Sequence, residues 1–263
     1  MRETEMDVAD KLTRGSMMTF PRTRLQMLAL EDRLTPATPV GILGPLPVTA
    51  GFTGVSLLGM NPLPTPLLAS GTPGGGAILY QPSPFAPGYA TPGTSQFLVP
   101  GTSASVRVAL GDITGDGVLD LIGGSGPGGQ LVSIRNGATG ATVAQFLPFE
   151  PGFTGGVYVA AGDINGDGFA DLVVTPDQSG GPRVQVYNGA DLAAGRVRLL
   201  ADYFGIADLA GQTDSNFRGG VRAALGDLNG DGRPEAIIAA GFGGGPRVTI
   251  WDGVSVANPN FLQ

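Results

Sequence analysis

The 263-residue chain contains no cysteine and no histidine. Without cysteine there is no disulfide framework and no thiolate chemistry. Without histidine the commonest general base and the commonest transition-metal ligand are gone. If the protein is exported, something other than disulfides must brace it. No apolar run reaches the roughly 18 residues of a membrane-spanning helix. Basic residues are few, 15 Lys and Arg against 22 Asp and Glu for a net charge of −7, and they form no stripe. Nucleic acid is therefore a poor partner. The N-terminus carries no clean signal peptide, because its best apolar stretch, Leu25–Leu30, is too short for the hydrophobic region of one.

Glycine (45) and proline (22) are abundant, yet there is no collagen-type period and apolar alternation persists. Such punctuation suits many short strands joined by tight turns. Internal repetition supports this. Residues 101–112 (GTSASVRVALGD), 152–163 (GFTGGVYVAAGD) and 216–227 (NFRGGVRAALGD) each run into an acidic loop: DITGDGVLD, DINGDGFAD and DLNGDGRPE. An apolar run follows, then a glycine-rich turn, then an alternating strand: LVSIRNG, RVQVYNG or RVTIWDG. The loops begin at Asp112, Asp163 and Asp227, so the second interval is longer and implies an insertion around residues 191–212. A degenerate first copy is visible in GFTGVSLLGM (51–60) and LLASGTPGGGAILY (67–80), with Pro-rich NPLPTP at 61–66 in place of the loop. The strands read as half-buried, with Val184 and Val186, or Val248 and Ile250, on the apolar face. The pairs Asn136–Gly137, Asn188–Gly189 and Asp252–Gly253 read as hairpin turns. Four units of about four strands each have the period of a β-propeller.

The shared loop, D-x-[NT]-x-D-G-x-x-[DE], is a hard-cation pattern. Oxygens at positions 1, 3 and 5 converge from a curled backbone, glycine at position 6 allows the turn, and position 7 offers its carbonyl, as in the first half of an EF-hand loop. The closing acid falls at position 9 and the flanks are β-branched and short, so the context is strand–loop–strand. Nine of the 22 acids sit in these loops, and their mutual repulsion favours a cation. An Asx-type turn held by side-chain hydrogen bonds is the metal-free alternative.

These motifs resemble the FG-GAP/VCBS repeats of integrin-α-like β-propellers, well over residues 97–255 and weakly over 44–96. The resemblance implies an all-β, propeller-like array of about four blades, an open arc or a small closed ring. It implies about three Ca²⁺ sites: Asp112, Thr114, Asp116, the Val118 carbonyl and Asp120; Asp163, Asn165, Asp167, the Phe169 carbonyl and Asp171; Asp227, Asn229, Asp231, the Arg233 carbonyl and Glu235. Thr114 departs from the usual Asp or Asn and weakens the first set. The implied role is a noncatalytic extracellular or cell-surface module for adhesion or scaffold contact, with an unidentified protein or glycan ligand. The alternative is a lectin-like propeller or a noncatalytic part of a secreted hydrolase.

The expected organisation is an irregular segment over 1–40, then a repeat domain over 41–263 with units at about 44–96, 97–146, 147–210 and 211–263. RLQMLALEDRLTPAT (24–38) resembles a motif of exported planctomycete-type proteins, although a short amphipathic helix would also fit it. Translation is expected to start at Met17 or Met18. The glycine-rich turns at 124–129 and 241–246 have no Walker-type Lys and read as turns rather than phosphate loops. No catalytic carboxylate pair stands apart from the loops. Arg183, Arg247, Tyr187 and Trp251 are a candidate binding face, or simply cover an exposed strand. Residues 44–58 could close the ring by pairing with the last unit, but the degenerate first unit and the insertion favour an open arc, whose free edges would self-associate.

Overall fold

The structure, a computed structural model, describes residues 55–57, 68–80, 94–100, 102–206, 216–258 and 261. All of them lie in one unit, Gly41–Gln263. The expectations for residues 1–40, the 24–38 motif and the 61–66 replacement loop fall outside the described residues.

Four antiparallel sheets follow one another along the chain. The first contains β1 (Val55–Leu57), β2 (Leu68–Gly71), β3 (Gly76–Tyr80) and β4 (Thr94–Phe97). The second contains β5 (Arg107–Gly111), β6 (Asp120–Gly124), β7 (Val132–Arg135) and β8 (Thr142–Phe146). The third contains β9 (Val157–Gly162), β10 (Asp171–Pro176), β11 (Arg183–Tyr187) and β12 (Leu199–Phe204). The fourth contains β13 (Val221–Gly226), β14 (Glu235–Ala240) and β15 (Val248–Trp251). Each is an up-and-down meander in which every strand pairs with its sequence neighbours. These are propeller-like blades. Two short helices, α1 (Gly189–Ala193) and α2 (Gly253–Val256), follow β11 and β15. Part of the expected insertion at 191–212 is therefore regular: it holds β12, the fourth strand of its blade.

The first strands stack in series. β1 and β2 pack on β5, β5 on β9, and β9 on β13. Each blade interface is one apolar cluster. Ala69 and Ala77 of the first blade meet Val106, Val108 and Leu121. Ile122 and Ile134 of the second meet Val157 and Leu172. Val173 and Val186 of the third meet Val221 and Ile238. Interior strands are thus covered on both faces. In β11 Gln185 and Tyr187 are buried along with Val184 and Val186, against the half-buried expectation. In β15 the expected orientation is inverted: Val248 and Ile250 are each 59% exposed, and Thr249 and Trp251 turn inward to hydrogen-bond with Gly205 of the third blade. Tyr187 stacks on Phe146 at 4.7 Å between ring centroids.

A polar stack also crosses three blades. Arg107, Tyr158 and Arg222 stand at one register position of β5, β9 and β13. Their guanidiniums lie 4.6 and 4.2 Å from the Tyr158 ring centroid. Buried Asp177 pairs with both arginines. Cation–π contacts of this kind contribute about 0.5–2 kcal/mol each.

The glycine-rich turns join neighbouring blades. Gly128 N–H donates to Thr154 O at 2.7 Å and Gly156 N–H to Gly129 O at 3.0 Å. One blade later, Ser179 N–H donates to Arg218 O and Gly220 N–H to Gly180 O, both at 3.0 Å. The GFTGG and FRGG segments therefore clip each blade to the turn of the one before it.

Candidate functional site

The three acidic loops connect β5 to β6, β9 to β10 and β13 to β14. Their side chains curl their own backbone. In the first, Asp112 accepts from the N–H groups of Asp116 (3.1 Å) and Gly117 (2.8 Å). In the second, Asp163 accepts from Gly166, Asp167 and Gly168 at 2.7–3.0 Å. In the third, Asp227 accepts from Gly230 (2.7 Å) and Gly232 (3.0 Å). The position-5 acids Asp116, Asp167 and Asp231 accept from the N–H two residues on, at Val118, Phe169 and Arg233. These turns need left-handed backbone at positions 4 and 6. Gly115 and Gly117, Gly166 and Gly168, and Gly230 and Gly232 all have φ between 69° and 89°. The pattern pointed to position 6 alone. Position 4 is glycine in all three loops, and that was the legible signal for the second left-handed residue.

In the first two loops the position-9 acid ties the loop to the end of its third strand. Asp120 accepts from Thr114 N–H (2.8 Å) and Gly137 N–H (2.9 Å). Asp171 accepts from Ile164 and Asn165 N–H (both 3.1 Å) and from Gly189 N–H (2.9 Å). Burial pushes both carboxyls up, that of Asp171 to about 6, even though these backbone N–H groups favour the charged form. Glu235 accepts from Leu228 N–H (2.6 Å) and from the Asn229 amide (3.0 Å).

A fourth contributor comes from the end of the third strand. Asn136 donates to Thr114 Oγ1 (3.0 Å) and Asp116 Oδ2 (2.8 Å), and it is the main influence holding Asp116 below the ordinary carboxylate range. Asn188 reaches Asp167 Oδ2 at 3.5 Å. In the last blade this position is Asp252, whose carboxylate lies with those of Asp231 and Glu235 inside 4.8 Å. The sequence pattern predicts hairpin turns at Asn136, Asn188 and Asp252. Asn136 does stand in the turn of the β7–β8 hairpin, where its N–H donates to Ala141 O and its carbonyl accepts from Gly140 N–H. The other two cap instead: Asn188 Oδ1 accepts from Asp191 N–H at the start of α1, and Asp252 from Ser255 N–H at the start of α2. None of the three following glycines has a positive φ. At Gly189 a Cβ would stand 2.2 Å from Ala170 O, and at Gly137 2.0 Å from Leu119 O, so close approach of the loop is what requires glycine there.

Every side-chain donor brought together here is an oxygen or an amide, a set that suits a hard divalent cation and not zinc. The candidate face at Arg183, Arg247, Tyr187 and Trp251 does not form, and Arg247 Nε–H donates to Gly244 O at 2.9 Å. Tyr187 is buried, Trp251 Nε1–H donates to Gly205 O at 2.9 Å, and Arg183 is bound by Asp202 and Glu150.

The FG-GAP-like repeat model matches residues 112–174 and the FG-GAP repeat model residues 155–197. The chain carries FG-GAP repeats. It is also 31% identical over 144 residues to integrin alpha-V of Gallus gallus, a match covering 52% of this chain and 14% of that protein. The FG-GAP matches cover the first two acidic loops in full. The third loop repeats their geometry beyond the matched residues.

Proposed function

We propose that this chain is a noncatalytic, extracellular or surface-exposed FG-GAP module, organised as an irregular N-terminal segment over 1–40 that carries the export-type motif and a repeat domain over 41–263. Its acidic loops bind Ca²⁺, and the rigid array presents a surface to a protein ligand. The supporting observation is the repetition of one loop geometry three times in register, each copy with carboxylates at positions 1, 5 and 9 and a fourth polar group arriving from the third strand. Asp112, Thr114, Asp116, the Val118 carbonyl and Asp120 would hold the first ion. Asp163, Asn165, Asp167, the Phe169 carbonyl and Asp171 would hold the second. Asp227, Asn229, Asp231, the Arg233 carbonyl and Glu235, with Asp252 added, would hold the third. A bound ion supplies the positive charge that offsets carboxylate repulsion, and it bridges loop to strand end without any chemical step.

Calorimetric titration of chelator-treated protein tests this, with melting followed in parallel. Extracellular modules bind Ca²⁺ at about 10⁻⁴–10⁻³ M. A hundredfold excess over Kd stabilises by about 2.7 kcal/mol per site. Three binding equivalents and a raised Tm are expected. A melting temperature indifferent to both EDTA and Ca²⁺ would refute the metal reading.

A lectin-like role has one observation in its favour. A groove of about 790 Å³ is lined by Phe149, Phe153 and Phe204 with Glu150, Arg183 and Asp202. Aromatic rings beside fixed polar groups suit a sugar. A glycan array would separate the two readings.

A further inference from the structure

The sequence contains four Asn-Gly pairs: Asn136–Gly137, Asn165–Gly166, Asn188–Gly189 and Asn229–Gly230. Such a pair is chemically labile, because glycine carries no side chain to shield or stiffen its backbone nitrogen. That nitrogen can attack the asparagine side-chain carbon. A bond forms from Gly N to Asn Cγ, the Cγ–Nδ2 bond breaks, and the glycine proton leaves with Nδ2 as ammonia. Water then adds at either carbonyl of the cyclic imide and opens it to aspartate or isoaspartate.

The attack needs a glycine nitrogen free to approach Cγ. In this fold all four glycine N–H groups are held by a loop carboxylate. Gly166 N–H donates to Asp163 Oδ1 and Gly230 N–H to Asp227 Oδ1, both at 2.7 Å. Gly137 N–H donates to Asp120 Oδ1 and Gly189 N–H to Asp171 Oδ1, both at 2.9 Å. The loop amides are held as well. Asn165 Oδ1 accepts from Asp167 N–H and Asn229 Oδ1 from Asp231 N–H, both at 2.8 Å. Each carbonyl is thus engaged two residues on rather than with its own glycine.

The pairs differ in what else restrains them. Asn136 and Asn188 are buried, and a Cβ on Gly137 or Gly189 would collide with the backbone beside it. Those two pairs can swing only if strands part. Gly166 and Gly230 are exposed at the tips of their loops. A Cβ on Gly166 would first meet the Arg233 side chain, and one on Gly230 would meet nothing. The first loop has Thr114–Gly115 at this place and no amide to lose.

We propose that Asn165 and Asn229 are latent deamidation sites, each masked by the carboxylate that opens its own loop, Asp163 and Asp227. Local opening of the loop tip, not unfolding of the blade, releases the reaction. The product rewrites the loop. Aspartate adds a carboxylate at position 3 to those at positions 1, 5 and 9. Isoaspartate adds the same charge and also lengthens the main chain, which moves position 5 out of place.

The full chain is incubated at mildly alkaline pH in chelator, so the outcome does not turn on the calcium reading. Mass spectrometry follows each Asn-Gly peptide, with the aspartate and isoaspartate forms separated by chromatography. In the unmutated chain Asn165 and Asn229 should convert faster than Asn136 and Asn188. Asp163 accepts three backbone N–H groups. Asp163→Ala should therefore speed Asn165 by about tenfold or more while Asn188 and Asn229 keep their rates. Asp227→Ala should speed Asn229 and leave Asn165 alone, so each variant carries the other loop as its reference. An Asn165 rate unmoved by Asp163→Ala would overturn the proposal. So would acceleration of all four pairs in both variants, which would place the protection in the blades as a whole, or conversion of the buried pairs ahead of the loop pairs.

Discussion

Asn136, Asn188 and Asp252 occupy one position in three successive blades and differ only in carrying an amide or a carboxylate. In the first two loops the amide donates to a carboxylate and offsets part of its charge. In the third, Asp252 adds a negative charge beside Asp231 and Glu235. Affinity in oxygen-ligand loops rises with ligand charge, so the third site should bind Ca²⁺ most tightly. Asp252→Asn keeps a good helix cap and should weaken that site by about tenfold, ~1.4 kcal/mol, without lowering metal-free stability. Calorimetry in which the tightest binding step is unmoved would contradict this. Between the other two loops, Asp163 stands with an amide at position 3 and Asp112 with only a hydroxyl, Thr114. Asp167→Ala should therefore cost more calcium-induced Tm shift than Asp116→Ala, and equal shifts would remove the ranking.

At the scale of the element, α1 shows what a short segment needs in order to hold. Five residues cannot sustain a helix by propensity. Asn188 caps it, and Asp191 is gripped by Arg196 at 2.6 Å and by Arg198. The Arg198 and Arg196 guanidiniums hold Asp191 below the ordinary carboxylate value of 3.8. A depressed folded-state pKa contributes stability that is present above 3.8 and lost as pH falls through the lower folded value. In calcium-free protein, denaturant midpoints should drop on that acid limb, and Asp191→Asn should drop less; parallel limbs would show that the pairing is inert. Elements also mark how far the sequence was readable. Strand alternation, the loop positions and the four-unit count were legible because side-chain period and turn chemistry are local. The inward turn of Thr249 and Trp251 was not, because it depends on Gly205, 44 and 46 residues away. Nor was the capping role of Asn188 and Asp252: Asn-Gly and Asp-Gly favour a hairpin turn, and only the loop's close approach decides otherwise.

At the scale of the whole molecule, the blades form a series in which each sheet touches its sequence neighbours. Residues 55–57, part of the segment that could have closed a ring, pair as β1 with β2 of their own sheet. Among the described residues β13 and β1 do not pack as consecutive first strands do. In such a quasi-one-dimensional array, stability is a sum of local terms and neighbour interfaces. The second and third blades each have two covered faces. Among the described residues the fourth has one, and no described fourth strand protects the edge of β15. Local opening should follow that order. In dilute, calcium-free protein, backbone hydrogen exchange should be slowest in β6 and β10, faster in β14, and fastest in β15. Burying a valine or isoleucine contributes about 1.5–3 kcal/mol, and Val248 and Ile250 forgo most of that, so the gap between β10 and β15 should reach at least tenfold in rate. Calcium should narrow it, because the third loop joins β13, β14 and the end of β15 through Asp231, Glu235 and Asp252. Equal protection of all four sheets without calcium would mean that the blades open as one cooperative ring, and the open series would be wrong.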